Sequence, residues 1–160
     1  MDIEIKPASQ EDYLDLSIMV GELLNEIMTE INDRAFNYDQ TKTLERAKDL
    51  ISKDRYWVFV AKDTHVGANV GFISLYESYA LYAEGAYGTI PELYVRPISR
   101  SQTIGKQLLE EASRFAAHKG WKRLEVTTPA LPEFERTLNF YLSNTFEVSG
   151  GKKLKKDIKN

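Results

Sequence analysis

The chain contains no cysteine and only two histidines, His65 and His118, among its 160 residues. The missing cysteines exclude disulfides, thiolate metal sites and a cysteine nucleophile, and two distant histidines do not suggest a metal centre. No segment approaches the roughly 18 apolar residues of a membrane-spanning helix. The opening sequence, MDIEIKPASQED, also lacks the apolar stretch of a signal peptide. We therefore expect a cytoplasmic protein with no metal and no membrane partner.

An excess of positive charge is also missing. The formal net charge is -3 and the isoelectric point is about 5.5, so the composition does not favour a nucleic-acid partner. Hydrophobic residues make up 42% of the chain and charged residues 28%, which is ordinary for a globular protein. This length suits one domain, and no linker or repeat interrupts it, so we predict a single domain over residues 1–160.

Hydrophobic periodicity predicts the order of the secondary structure. A first strand ends at Pro7, and apolar residues at helical spacing then predict one long helix or two helices broken near Gly21. Thr43 is expected to cap the next helix. Later strands are predicted at 56–61, 66–76, 89–95, 124–128 and 146–148, and later helices at 104–119 and 133–143. A tyrosine-rich interruption is predicted between the third and fourth strands, and residues 154–158 are either a last strand or a frayed tail.

The resulting order is β-α-α-β-β-β-α-β-α-β. It combines a hairpin in the first half with strand-helix-strand crossovers in the second half. The fold class that we predict is therefore α/β (α+β), with a mixed, mostly antiparallel twisted sheet flanked by helices on both faces.

One segment, residues 90–119, joins a strand, a polar loop and an amphipathic helix. The N-terminus of a helix presents free backbone N–H groups and the positive end of the helix dipole, so it attracts anions. Arg96, Arg100 and Lys106 surround this place in the sequence and are expected to add positive charge. The segment therefore predicts a phosphate-binding site.

The sequence Arg100-Ser101-Gln102-Thr103-Ile104-Gly105 resembles the acetyl-CoA pyrophosphate loop of the GNAT superfamily of N-acetyltransferases, whose pattern is Q/R-x-x-G-x-G/A. Thr103 stands at the first glycine of that pattern, where a side chain hinders close approach of the backbone to a phosphate. The order of elements also resembles the GNAT fold from about residue 2 to residue 148. The resemblance implies that acetyl-CoA is the cosubstrate, held by the backbone of the central strand and by the loop: Leu93, Tyr94, Val95, Arg100, Ser101, Gln102, Thr103, Ile104, Gly105 and Lys106.

A second segment, Asn139-Phe140-Tyr141-Leu142-Ser143-Asn144-Thr145-Phe146, resembles the late F-Y-x-x-x-G-F segment of the same family, with Thr145 at the usual glycine. The resemblance implies that Tyr141 lies near the sulfur of the cofactor and acts as general acid toward the leaving thiolate. The alternative is a tyrosine that only packs in the core. Phe134 stands where family members commonly have an asparagine that contacts the cofactor.

Attack by an amine also requires a group that accepts its proton. Glu92 lies just before the cofactor loop and is the candidate general base or water holder. A structural carboxylate, satisfied by neighbouring backbone or by a cation, is an equal alternative. Glu77 and Glu84 are further acidic candidates near the acceptor, and they favour a cationic one.

The leading hypothesis is therefore an acetyl-CoA-dependent N-acetyltransferase in which an amine attacks the thioester directly, with Tyr141 as acid and Glu92 as base. The acceptor is a small-molecule amine or a protein amine. The alternative is a catalytically weak CoA-binding regulatory module of the same fold, and a third possibility is an unrelated α/β phosphate binder. A group of tyrosines is typical of a pocket wall, core packing or a homodimer interface: Tyr76, Tyr79, Tyr82 and Tyr87.

Overall fold

The computed structural model describes residues 1–100 and 103–159, which fall into two compact units, Met1–Thr127 and Thr128–Asn160. The prediction of one domain over residues 1–160 remains a prediction. Among the described residues, no helix is both long enough and apolar enough to cross a membrane.

The first unit contains a six-stranded sheet and three of the described helices. The strands are β1 (Ile3–Pro7), β2 (Trp57–Asp63), β3 (Ala68–Ala80), β4 (Gly85–Ile90), β5 (Leu93–Val95) and β6 (Leu124–Val126), and the helices are α1 (Tyr13–Ile31), α2 (Gln40–Ser52) and α3 (Ile104–Lys119).

The strands lie in the order β1-β2-β3-β4-β6, and β5 pairs with β3 beyond the end of β4. Only the pairing of β4 with β6 is parallel. The prediction of a mixed, mostly antiparallel sheet is therefore confirmed.

Alternating residues of β2 divide the core between the two faces of the sheet. Val58 and Val60 pack in one cluster with Leu16 and Met19 of α1. The odd-numbered side chains, Trp57 and Phe59, point to the other face, where both rings contact Phe115 of α3 at centroid distances of 5.4 and 5.5 Å. Because successive side chains of a strand point in opposite directions, helices cover both faces, as predicted.

Helix α1 is continuous through Gly21, which confirms the alternative of one long helix. A Cβ atom at this position would lie 2.5 Å from the Tyr38 ring. The Tyr38 hydroxyl donates a hydrogen bond to the backbone carbonyl of Ser17, one turn before. Gly21 is therefore the place where the loop between α1 and α2 packs against the helix, which offsets the low helix propensity of glycine.

Helix α2 begins at Gln40 rather than at the predicted cap, Thr43. The carboxylate of Asp39 accepts a hydrogen bond of 2.9 Å from the backbone N–H of Lys42, so Asp39 is the N-cap. Aspartate is a stronger N-cap than threonine, and the helix consequently begins four residues earlier than predicted.

The predicted tyrosine-rich interruption between the third and fourth strands is mostly strand. β3 continues to Ala80, and β4 already begins at Gly85. Cross-strand pairs such as Ser78–Tyr87 make this a long antiparallel hairpin, in which β-branched and aromatic residues are favoured.

The second unit contains helix α4 (Glu135–Ser143), but the predicted strand at 146–148 is absent. Phe146 instead belongs to the C-terminal cap of α4, as described below. Residues 152–159 have no regular structure, in agreement with the frayed-tail alternative.

Candidate active site

The strand predicted at 89–95 is interrupted between β4 and β5. The pairs Tyr76–Thr89 and Ile73–Leu93 flank this interruption. Between them two residues of β3 face three of the other strand, including Pro91, which has no N–H to donate to a ladder. The extra residue forms a β-bulge, a feature that bends a strand and redirects side chains.

Glu92 lies in this bulge and is half-buried. Its Oε1 atom accepts hydrogen bonds from the Tyr56 hydroxyl at 2.7 Å and from the Ser74 hydroxyl at 2.5 Å. One donor, Tyr56, directly precedes β2 and the other lies in β3, so the carboxylate is held from two sides.

The bulge also opens the sheet beside β5. β4 and β6 pair as far as Ile90 and Val126, whereas β5 has a ladder partner only in β3 among the described residues. The bonds Ser74 N–H to Glu92 C=O and Arg96 N–H to Val70 C=O fix the alternation of β5. In this register, the backbone N–H and C=O groups of Tyr94 point toward β3.

The backbone N–H groups of Leu93 and Val95 therefore point toward the open side of β5. Such amides fit the amide and carbonyl groups of an extended ligand, which would add to the sheet edge like another strand. Of the three residues that the resemblance implies for backbone contacts, only Leu93 and Val95 present these groups to the open side, because the backbone of Tyr94 is occupied in the ladder.

Helix α3 begins at Ile104, where the phosphate site is predicted. Helix geometry leaves the N–H groups of Ile104, Gly105 and Lys106 without acceptors inside the helix, and the first intrahelical bond runs from Gln107 N–H to Thr103 C=O at 3.0 Å. These donors fit an anionic diphosphate. Two further residues assigned to cofactor binding, Ser101 and Gln102, lie outside the described residues.

Thr103, which precedes α3, has a φ angle of +59°. This left-handed conformation suits glycine and is unusual for a β-branched residue. Its hydroxyl makes no capping hydrogen bond to the helix and instead accepts one from the side-chain amide of Gln107 at 3.2 Å. The backbone at this position thus adopts a conformation that favours glycine, the residue of the family pattern, although the residue here is threonine.

The two arginines that were expected to add positive charge are both paired with carboxylates of α1. The Arg96 guanidinium bonds Glu22 at 3.0 Å and Asp15 at 2.9 Å. Burial opposes its charge, but bonding to these carboxylates raises the pKa of Arg96. Arg96 therefore joins β5 to α1, and these carboxylates compensate the positive charge that it was expected to add.

Arg100 donates to both carboxylate oxygens of Glu26, at 2.8 and 3.1 Å, and its Nε donates to the backbone carbonyl of Val95 at 2.8 Å. Its side chain thus occupies a backbone acceptor of the open strand. Because the pair is substantially exposed, its contribution to stability is small, about 0–1 kcal/mol. A phosphate can therefore compete with Glu26 for the guanidinium at little cost.

The variant Glu26→Gln tests this competition. Removing the carboxylate charge releases Arg100 toward phosphate, so we expect the Kd for acetyl-CoA to fall about twofold to fivefold at low salt. Isothermal titration calorimetry measures the change. Asp49→Asn is the matched control, because it removes one negative charge from a surface pair with Lys53. Equal effects of the two variants, or weaker binding by Glu26→Gln, would contradict the competition.

Tyr141 belongs to the second unit, in the last turn of α4, and is buried. The backbone N–H of Phe146 donates to the carbonyl of Tyr141 at 3.1 Å, and Thr145 between them has a φ angle of +69°. This is a Schellman cap, which places the residue after the left-handed position against the helix. Accordingly, the rings of Tyr141 and Phe146 lie 5.3 Å apart.

The Schellman cap explains the spacing of the late F-Y-x-x-x-G-F segment in physical terms. The tyrosine supplies the carbonyl, the glycine position takes the left-handed conformation, and the last aromatic residue closes over the tyrosine. Burial raises the pKa of the Tyr141 phenol. The phenol therefore stays protonated at neutral pH and remains a hydrogen-bond donor.

Thr103→Gly and Thr145→Gly form a matched pair, because both remove a threonine side chain at a left-handed position. Relief of strain, about 1 kcal/mol per site, should raise the thermal midpoint of both variants. Only Thr103→Gly removes a side chain next to the predicted phosphate site, so it alone should tighten acetyl-CoA binding. Calorimetry and thermal unfolding separate the two effects. Unchanged or weaker binding by Thr103→Gly would mean that the threonine side chain is accommodated or useful.

Other acidic candidates lie elsewhere. Glu77 accepts hydrogen bonds from the Trp121 indole at 2.7 Å and from the Tyr79 hydroxyl, on the α3 face of the sheet. Glu84 is exposed at the turn of the β3–β4 hairpin. Because Glu92 points to the α1 face with Ser74, neither residue shares its site.

Two residues of the site, Tyr56 and Ser74, were not selected from the sequence. Tyr56 precedes an apolar strand and reads as one more core residue. The only available signal was Ser74, a polar residue in the middle of the apolar strand β3.

Residues 22–143 match the model of the acetyltransferase (GNAT) family, a stretch that includes both Glu92 and Tyr141. The open sheet, the bulged strand and helix α3 are thus those of an acetyltransferase domain. The chain belongs to the GNAT acetyltransferase family, and the sequence-based recognition is confirmed. No curated protein matches the chain by sequence.

Solved structures share the fold at low sequence identity. AAC(6')-Iy, in complex with a bisubstrate analogue of CoA, has a TM-score of 0.80 at 15% identity, covering 99% of each chain. An aminoglycoside acetyltransferase from an uncultured soil metagenomic sample, meta-AAC0020, has a TM-score of 0.75 at 20% identity, covering 98% of this chain and 97% of its own. Glucosamine-6-phosphate N-acetyltransferase from Arabidopsis thaliana has a TM-score of 0.74 at 14% identity, covering 98% and 99%.

Proposed function

We propose that the chain transfers the acetyl group of acetyl-CoA to a primary amine by direct attack of the amine on the thioester. The observation that carries this proposal is the bulge at residues 90–92. In one unit it combines a positioned carboxylate, outward-facing backbone amides and a strand that leads toward the N-terminus of α3.

The described residues fit acetyl-CoA. Free amides at the start of α3 suit the diphosphate, and the open side of β5 suits the amide-containing arm of the cofactor. Acetyl-CoA supplies an activated acetyl group as a thioester. No metal is required for this chemistry.

Each proposed catalytic residue has one task. Glu92 accepts the proton of the attacking amine, directly or through one water. A backbone N–H of Leu93 or Val95 donates to the carbonyl oxygen as negative charge develops on it, a contribution of about 3 kcal/mol where such donors have been removed in other enzymes. Tyr141 donates a hydrogen bond to the sulfur as the C–S bond breaks and so stabilises the departing thiolate, which takes its proton from solvent, and the product is an amide.

The structural relatives and the acidic character of the chain support a choice of acceptor class. Aminoglycosides, amino sugar phosphates and peptides with a free N-terminal alanine are the amines to test first, because related structures include the aminoglycoside acetyltransferase meta-AAC0020, glucosamine-6-phosphate N-acetyltransferase and ribosomal-protein-alanine N-acetyltransferase. A cationic small molecule is the acceptor that we favour. The homodimeric state of the protein remains a prediction.

The test is the release of CoA in the presence of acetyl-CoA and this panel of amines. A thiol reagent reads the product without background, because the protein has no cysteine. Mass spectrometry of the amine should show the added acetyl group. Failure to bind acetyl-CoA in calorimetry would overturn the proposed function.

A second candidate function is a regulatory module that binds CoA with little catalysis. It is favoured by Thr103, whose side chain lies next to the predicted phosphate site, and by the engagement of Arg100 with Glu26. Binding of acetyl-CoA without turnover of any amine in the panel would support this alternative against the first.

A further inference from the structure

The two oxygens of the Glu92 carboxylate have different surroundings. Oε1 accepts both hydroxyl hydrogen bonds, from Tyr56 and from Ser74, whereas no donor among the described residues bonds Oε2. A carboxylate held by one oxygen leaves the lone pairs of the other oxygen for a proton donor that arrives from outside.

Ser74 has a second role that ties the carboxylate to the bulge. Its hydroxyl oxygen accepts a hydrogen bond of 3.1 Å from the backbone N–H of Glu92, while its backbone N–H donates to the Glu92 carbonyl at 3.0 Å. In a regular ladder the N–H of Glu92 would instead bond a backbone carbonyl. The Ser74 side chain replaces the carbonyl where the extra residue has displaced the strand, and it is itself fully buried.

Tyr56, which directly precedes β2, approaches Glu92 from the side of that strand. Its ring packs against the cluster between the sheet and α1 and stacks on Tyr76 at a centroid distance of 6.2 Å. Burial, together with the negative charge of Glu92, raises the pKa of the Tyr56 phenol. Its hydroxyl is therefore a permanent donor at any working pH and does not exchange roles with the carboxylate.

We propose that Tyr56 and Ser74 are positioning residues that hold Glu92 by Oε1, so that Oε2 faces the acceptor amine and takes its proton. This inference rests on the proposed function. It assigns two side chains that neither the family pattern nor the sequence selected, and it gives the two carboxylate oxygens separate tasks.

The proposal predicts a loss of rate when either donor is removed. Proton transfer needs heavy atoms within about 2.6–3.2 Å. A carboxylate that rotates freely rarely meets this requirement, so loss of either donor should lower kcat.

The experiment compares Tyr56→Phe and Ser74→Ala with the wild-type protein in the thiol-release assay, using the best amine of the panel. We expect kcat to fall about tenfold in each variant, with the KM for acetyl-CoA changed less than twofold. Ser74→Thr keeps the hydroxyl and should restore most of the rate. Tyr38→Phe is the matched control, because it removes a phenol that donates only to a backbone carbonyl of α1. It should lower the thermal midpoint without lowering kcat.

A double-mutant cycle separates positioning from stability. In the background of Glu92→Gln, which has no proton acceptor at this position, Tyr56→Phe should lower kcat no further, whereas a merely structural role would cost the same in both backgrounds. Wild-type turnover with an undiminished kcat in Tyr56→Phe overturns the inference and leaves the proposed function standing. Absence of wild-type turnover with bound acetyl-CoA overturns both.

Discussion

Replacing Tyr141 with phenylalanine is expected to lower kcat about 100-fold while the affinity for acetyl-CoA changes little. In the proposed mechanism the phenol donates to sulfur only as the thioester breaks, so its loss should raise the barrier without affecting the ground state. Because burial raises the pKa of Tyr141 above its ordinary value of 10.0, and an alkyl thiol has a pKa of about 8.5, complete proton transfer to sulfur is uphill. A hydrogen bond that strengthens with the developing charge is the more favourable arrangement.

The phenylalanine variant keeps the ring that packs against Phe146, so the Schellman cap should persist and the thermal midpoint should shift little. Tyr13→Phe is the control, since it also removes the hydroxyl of a buried tyrosine. Steady-state kinetics at saturating acetyl-CoA provide the measurement. A Tyr141→Phe variant with the full wild-type kcat would show that the tyrosine only packs in the core.

Glu92→Gln is the second large effect that we expect, a fall in kcat of about 100-fold at pH 7. Glutamine has nearly the same shape and keeps an oxygen for the hydroxyls of Tyr56 and Ser74, but it cannot accept a proton from the amine. The residual rate then depends on amine that solvent has already deprotonated. For an acceptor with a lysine-like pKa of about 10.4, that rate should rise about tenfold per pH unit between pH 7 and 9.

Glu111→Gln is the matched control for Glu92→Gln, because it makes the same substitution in a surface ion pair with Arg114. Its kcat should equal that of the wild-type protein. A Glu92→Gln variant whose rate and pH dependence both match the wild type would identify Glu92 as a structural carboxylate, and the acceptor would then need another base.

The arrangement of the fold was predictable from periodicity, whereas the local irregularities were not. Apolar alternation located the strands of the first half, and helical spacing located α1 and α3, because burial on one face imposes those periods. The bulge at 90–92 leaves no periodic signal, since Pro91 interrupts a run that otherwise reads as a single strand. The strand predicted at 146–148 is absent for a similar reason. Phe146 is an apolar residue that packs in the cap of a helix and does not belong to a sheet.

The candidate site divides in the same way. The loop before α3 and the segment around Tyr141 carry spaced motifs, so sequence alone indicated them. The partners of the charged residues depend on contacts between residues far apart in the chain. The sequence near Arg96 and Arg100 gives no signal that these residues pair with the α1 carboxylates Glu22 and Glu26. The Tyr56–Glu92 hydrogen bond likewise joins positions 36 residues apart.

The extra residue of the bulge decides which way two different sets of groups point. If the alternation set by Thr89 opposite Tyr76 continued unbroken, the carboxylate of Glu92 would lie on the α3 face, and the amides of Glu92 and Tyr94 would face away from β3. One surplus residue reverses this parity. It turns the acid toward the α1 face and also turns the N–H groups of Leu93 and Val95 outward, so the proposed proton acceptor and the proposed oxyanion donors are oriented by one extra residue in the backbone.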